Sequence, residues 1–181
     1  MKKALLLVVN YNSFNNTINY IESLYDLENS DNLDLIIIDN NSDKVVQNKL
    51  KTFISKSILK SIRLIILDNN YGYFGAIKNV LDSKIDDVNI YNYIIVSNND
   101  IIIKDKNFLN KLFNKNEDSL LIAPQILYPD NFINQNPFRL SKITIKENIY
   151  WKIYFLNICQ REKILKKIEP RIILLTVLLV N

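Results

Sequence analysis

Short apolar runs recur through the first hundred residues, and each breaks off in a cluster of Asn, Asp and Ser. Residues 4–9 lead into Asn10-Tyr11-Asn12-Ser13 and residues 33–38 into Asp39-Asn40-Asn41-Ser42. Residues 63–67 lead into Asp68-Asn69-Asn70, and residues 91–96 into Ser97-Asn98-Asn99-Asp100. The run at 4–9 is unbroken, as in a strand buried on both faces. The runs' spacing of about 30 residues leaves room for a helix between successive strands. Amphipathic patterns fill that room. Ile18, Ile21, Leu24 and Tyr25 share a face of a predicted helix over 15–27, which Asn12 or Ser13 would cap. Val46, Leu50, Phe53 and Ile54 share a face over 44–59. A third helix follows a glycine loop and runs to about residue 84, and residues 108–113 read as a fourth. Residues 101–103 and 120–123 read as short further strands.

This alternation predicts an α/β fold, a Rossmann-like, mostly parallel sheet flanked by helices on both sides. In such a sheet the carboxyl ends of the strands line the ligand crevice. All the polar clusters fall at those ends, which predicts a binding site there.

Composition narrows the chemistry. The chain has no histidine, so imidazole bases, histidine metal ligands and Ser-His-Asp triads are excluded. Cys159 stands alone, which excludes an internal disulfide and fits a reducing, cytoplasmic setting. A metal held here takes oxygen ligands, which suits Mg²⁺ or Mn²⁺. The apolar run at 4–9 is too short for a signal peptide, and no apolar stretch reaches the length of a membrane span. The 30 Ile, 27 Asn and 19 Lys all have AT-rich codons, so the abundance of Asn is first read as base composition.

Glycine occurs only at Gly72 and Gly75, where average usage would give roughly a dozen. The segment Asn70-Tyr71-Gly72-Tyr73-Phe74-Gly75-Ala76 lacks the third glycine of a dinucleotide fingerprint and is not a Walker A loop. It reads either as a loop approaching a nucleotide or as a tight turn opening a helix. Other positions also carry two readings. Asp100 either holds a divalent cation against a diphosphate or caps a turn. Asp39 either accepts an N–H from a base or a ribose hydroxyl, or caps the next helix. Tyr11 either stacks on a base or packs at the rim.

In order, these segments resemble the family 2 glycosyltransferases of the GT-A fold, over about residues 3–137. The stretch Ala123-Pro124-Gln125-Ile126-Leu127-Tyr128-Pro129-Asp130-Asn131 is similar to one in the rhamnosyltransferase-like branch. The resemblance implies a UDP- or dTDP-linked sugar donor at the carboxyl edge of the sheet, and a glycan or lipid-linked acceptor. It implies that Tyr11 lies beside the base, that Asp39 recognises the base, and that Asn70, Gly72 and Gly75 meet the donor. Asn98-Asn99-Asp100 then stands where the family has D-x-D, with Asn98 in place of the first Asp and Asp100 as the metal carboxylate.

Beyond residue 131 the family's acidic pair that deprotonates the acceptor has no counterpart, since Glu147, Glu162 and Glu169 are isolated among basic residues. The chain is therefore expected to hold the donor half and to be truncated, with inversion as the implied outcome. A donor-binding remnant, or a subunit needing a partner to supply the base, stays open beside the enzyme. So does a different Rossmann-like nucleotide binder.

Net charge is −2 over residues 1–100 and +6 over 101–181. Two segments are expected, a nucleotide-sugar domain over 1–137 and a basic appendage over 138–181. In the appendage Tyr150, Trp151, Tyr154 and Phe155 interleave with basic residues in an amphipathic C-terminal helix over 146–168. That helix reads either as lying on an anionic membrane surface or as packed on the domain. Nucleic acid is not an expected partner. The apolar residues 172–180 are expected to be exposed.

Overall fold

A computed structural model of the chain describes residues 2–83, 85, 87–115, 121–122, 124, 126–127 and 171–175. Its strands are β1 (Ala4–Asn10), β2 (Leu33–Asp39), β3 (Ile62–Ile66), β4 (Tyr93–Asn98), β5 (Leu121–Ile122) and β6 (Arg171–Leu175). Its helices are α1 (Phe14–Ser23), α2 (Lys44–Ile54), α3 (Gly72–Ser83) and α4 (Phe108–Phe113), with a 3₁₀ turn at Ser30–Asn32. The strands form one sheet in the order β3-β2-β1-β4-β6-β5, and all its pairings are parallel.

The run at 4–9 is continuous because β1 is buried on both faces along its whole length. Alternation then divides the core in two. Leu6, Val8, Leu35, Ile37, Tyr93 and Ile95 face Tyr20, Ile21 and Leu24 from α1 and its end, and Leu109 and Leu112 from α4. Phe53 and Ile54 of α2 join that side. Leu5, Leu7, Val9, Ile36, Ile38, Ile94 and Val96 face Ala76, Ile77 and Val80 of α3.

Topology explains this split. From β1 the chain steps to β2 and β3 in one direction across the sheet. It then returns past β1 to β4. Right-handed crossovers place helices of opposite stepping direction on opposite faces. So α1 and α2 cover one face and α3 the other. The strand order reverses between β1 and β4, and a crevice opens outside the carboxyl ends at that point. Asn10 ends β1 and Asn98 ends β4 there.

Two expectations are corrected. Residues 101–103 are not a strand, although Ile101 and Ile103 pack against the α1-side core. Residues 171–175, where no strand is expected, form β6, paired with β4 and β5, and the exposure expected over 172–180 lies outside what is described. An apolar run satisfies its backbone groups when it joins a sheet. The boundary at 137/138 and the amphipathic helix over 146–168 lie outside the described residues.

The opposite edge of the sheet carries an ion pair. Lys3 Nζ lies 2.7 Å from Asp34 Oδ2, and the Tyr91 hydroxyl donates to the same oxygen at 2.5 Å. Burial pushes the Asp34 carboxyl up. Hydrogen bonds from Lys3, Tyr91 and Ser61, with the Lys3 charge, outweigh that and hold it below its ordinary value. A carboxyl depressed in the fold adds stability above its unfolded pKa, and that stability is lost as pH falls through the folded value. Urea denaturation is therefore expected to show wild type more stable than Asp34→Asn at pH 7. That gap should narrow once pH drops below the ordinary value of 3.8. A gap independent of pH would remove the ion pair from the account.

Candidate functional site

Strand alternation decides which crevice residues look inward and which look toward α3. Asn10 continues the face of Leu6 and Val8, and Asp39 continues that of Leu35 and Ile37. Both are wholly buried. The Asn10 amide donates to Asp39 Oδ2 at 2.7 Å and to Ser42 Oγ at 3.1 Å. Its carbonyl oxygen accepts from Thr17 Oγ1 at 2.9 Å, from the Ser13 N–H at 3.3 Å and from the Asn99 amide at 3.4 Å. Asp39 Oδ1 accepts the Ser42 N–H at 2.9 Å. These contacts tie the ends of β1 and β2 to the start of α1 and to the residues after β4.

The other parity faces α3. Val9 pairs in register with Ile38 and with Asn98, so all three share that face, and Asn40 follows two residues after Ile38. Here a cleft of about 310 Å³ opens, lined by Val9, Tyr11, Asn40, Asn70, Gly72, Tyr73, Asn98 and Asn99. Among the described residues, no side chain lining it carries a formal charge at neutral pH, and four are asparagines.

The structure thus brings Tyr11, Asn70, Gly72, Asn98 and Asn99 around one cleft. Tyr11 stands at its rim, 53% exposed. Asn99 also donates to Thr17 Oγ1 at 2.9 Å, which joins the cleft to the inward network. Asp39 is not in the lining. It lies behind, with both oxygens engaged. Asp100 is exposed just past the cleft residues Asn98 and Asn99, and is not itself in the lining. Among the described residues no three Asp, Glu or Cys side chains gather to hold a metal.

The two glycines have different reasons. Gly72 has φ +69°, and nothing lies within 4 Å of where a Cβ would stand. Backbone conformation, not space, selects glycine there. Gly75 is one turn into α3, where a Cβ would meet the Tyr71 Cβ at 3.0 Å. Close packing on Tyr71 selects that glycine. The segment is the helix start itself and not a loop before it, because α3 begins at Gly72.

Sequence reasoning passed over Val9, Tyr73 and, most consequentially, Asn40. The signal for Asn40 is its parity with Ile38 and Val9. Asparagine abundance also has structural employment beyond base composition. Asn12, Asn29 and Asn41 hold φ of +50°, +60° and +65°, which is how the chain makes left-handed turns without glycine.

Comparisons with known proteins bear on the family and the fold. The family model described as glycosyl transferase family 2 matches residues 6–168. Among solved structures, the mannosyltransferase PcManGT from Pyrobaculum calidifontis, in complex with GDP-Man and Mn²⁺, is similar at a TM-score of 0.55 and 12% identity. It is covered over 37% of its length by 72% of this chain. S. aureus TarS 1-349 in complex with UDP-GlcNAc is similar at 0.54 and 16% identity, over 38% of its length and 80% of this chain. The chain therefore spans well under half the length of these structures. At such identities the likeness shows the fold, α/β of the GT-A type. No curated protein sequence matches the chain.

A left-handed position tolerates asparagine better than alanine. Gly72→Ala is expected to lower stability by about 1 kcal/mol. Gly72→Asn should lose clearly less, as thermal unfolding would show. Equal losses would contradict the conformational reading of Gly72.

Proposed function

The chain belongs to glycosyl transferase family 2, and on that basis we propose that it moves a sugar from a nucleoside diphosphate sugar to a glycan or lipid-linked acceptor, with inversion. The observation that carries this reading is the cleft at the switch point between β1 and β4. It gathers side chains from every strand-end cluster that the family pattern marks. In this reading the donor is UDP- or dTDP-linked. Tyr11 offers a ring to stack on the base. Asn70, Asn98 and Asn99 offer amides to ribose and sugar hydroxyls, and Gly72 keeps the wall open. Asp39, one layer down, sets the depth and polarity of the base end through Asn10 and Ser42. Gly75 lets Tyr71 fold against the helix start and so shapes the donor wall.

The described cleft residues are uncharged and do not themselves neutralise a diphosphate. Asp100, exposed beside Asn98 and Asn99, supplies one carboxylate at that edge. One carboxylate with diphosphate oxygens and water is a donor set that suits Mg²⁺ or Mn²⁺. A cation held there would offset the charge of the departing nucleoside diphosphate. The Mn²⁺ in PcManGT supports this choice of ion. Asn98, in place of a first Asp, supports assignment to the rhamnosyltransferase-like branch. The basic, aromatic stretch over 146–168 supports work at the inner face of a membrane, where lipid-linked acceptors lie.

A second reading is favoured by one observation. Among the described residues no carboxylate lines the cleft, and inverting transfer needs a base within reach of the acceptor hydroxyl. A donor-binding chain that takes its base from a partner would fit that lining.

Calorimetric titration with UDP- and dTDP-sugars, with and without Mn²⁺, tests the proposal. Saturable binding that strengthens with Mn²⁺ is expected, weakened about tenfold by Asp100→Ala. Folded protein that binds no donor would contradict it. Binding without hydrolysis or transfer would favour the second reading.

A further inference from the structure

The wall of the cleft at residues 70–72 is held by side chains, not by sheet or helix bonds alone. Asn40 Oδ1 accepts the Tyr71 N–H at 2.9 Å. Asn40 Nδ2 donates to Asn70 Oδ1 at 2.8 Å, and Asn70 Oδ1 also accepts the Gly72 N–H at 2.9 Å. The amide orientations are fixed without ambiguity. A backbone N–H only donates, so oxygen must face Tyr71 from Asn40 and face Gly72 from Asn70. Asn40 is then left with its nitrogen toward the Asn70 oxygen, which is the arrangement present. Asn40 is itself anchored, being 3% exposed with its N–H donating to Asn10 O at 2.8 Å.

We propose that Asn40 and Asn70 form a clamp that positions the Gly72 segment for the donor, making Asn40 a positioning residue of the cleft. This rests on the donor-binding reading above. The left-handed backbone at Gly72 borders the cleft, and Asn40 and Asn70 are 30 residues apart in sequence. Two of the first N–H groups at this helix start, those of Tyr71 and Gly72, are committed to the clamp. The remainder of the segment is thereby presented in one orientation instead of several. Preorganisation of that kind raises affinity without a new ligand contact.

The test combines amide hydrogen exchange in ligand-free protein with UDP and dTDP titration. In Asn40→Ala the Tyr71 and Gly72 amides should exchange about tenfold faster, and affinity for whichever nucleotide binds wild type should fall about tenfold. Asn70→Ala, at an exposed position, should release the Gly72 amide alike and stands in if Asn40→Ala does not fold. Asn70→Asp keeps the accepting oxygen, so its Gly72 amide should exchange as in wild type. Wild-type exchange in Asn40→Ala or Asn70→Ala would overturn the clamp. So would faster exchange at unchanged nucleotide affinity. If wild type itself binds neither nucleotide, the donor-binding reading fails, and the positioning role with it.

Discussion

A primary amide with no solvent access must satisfy both its ends within the protein, and Asn10 does so at the end of the central strand. An unpaired buried polar group costs on the order of 1–3 kcal/mol. The Asn10 nitrogen meets Asp39 and Ser42, and its oxygen meets Ser13, Thr17 and Asn99. These partners come from three pieces of the crevice: the end of β2, the start of α1 and the residues after β4. Their relative positions are therefore fixed by one side chain at the point where the strand order reverses. The buried carboxylate of Asp39 is tolerable there because it receives the Asn10 amide and the Ser42 N–H.

From that hub the crevice divides by parity. Side chains in step with Asn10 look toward α1 and build the frame, and those in step with Val9 look toward α3 and line the cleft. Neighbours in sequence consequently do different work. Asp39 is frame and Asn40 is wall, although both stand in one Asp-Asn-Asn-Ser cluster. Asn98 faces the cleft in register with Val9, while Asn99 also reaches back to Thr17. The proposed donor chemistry falls to uncharged amides and one tyrosine, with charge compensation assigned to Asp100 and a cation.

Much of the fold was readable before the structure. The apolar runs mark the first four strands to within two residues, most clearly β1, which is buried on both faces. The polar strand ends mark the crevice for the same topological reason. Three things were not readable. Residues 101–103 look like a strand but pack as an irregular segment, since a triple isoleucine fits either. Residues 171–175 join β4 and β5 through pairings remote in sequence, which local pattern does not encode. Of the two readings open for the glycine segment, the turn that opens a helix is found, but the reason for each glycine was not readable. Gly72 answers to a dihedral and Gly75 to the Tyr71 Cβ, and neither is visible in composition.

The asparagine side chains themselves offer the most direct measurement. Each amide gives its own signal in a ¹⁵N–¹H correlation spectrum, and a titration with UDP or dTDP and diamagnetic Mg²⁺ reports which ones meet ligand. The account predicts large shifts for Asn70 and Asn98, a smaller one for Asn99, and little change for the buried Asn10. Shifts centred on Asn10 with Asn70 and Asn98 silent, or no shifts at all in folded protein, would contradict it.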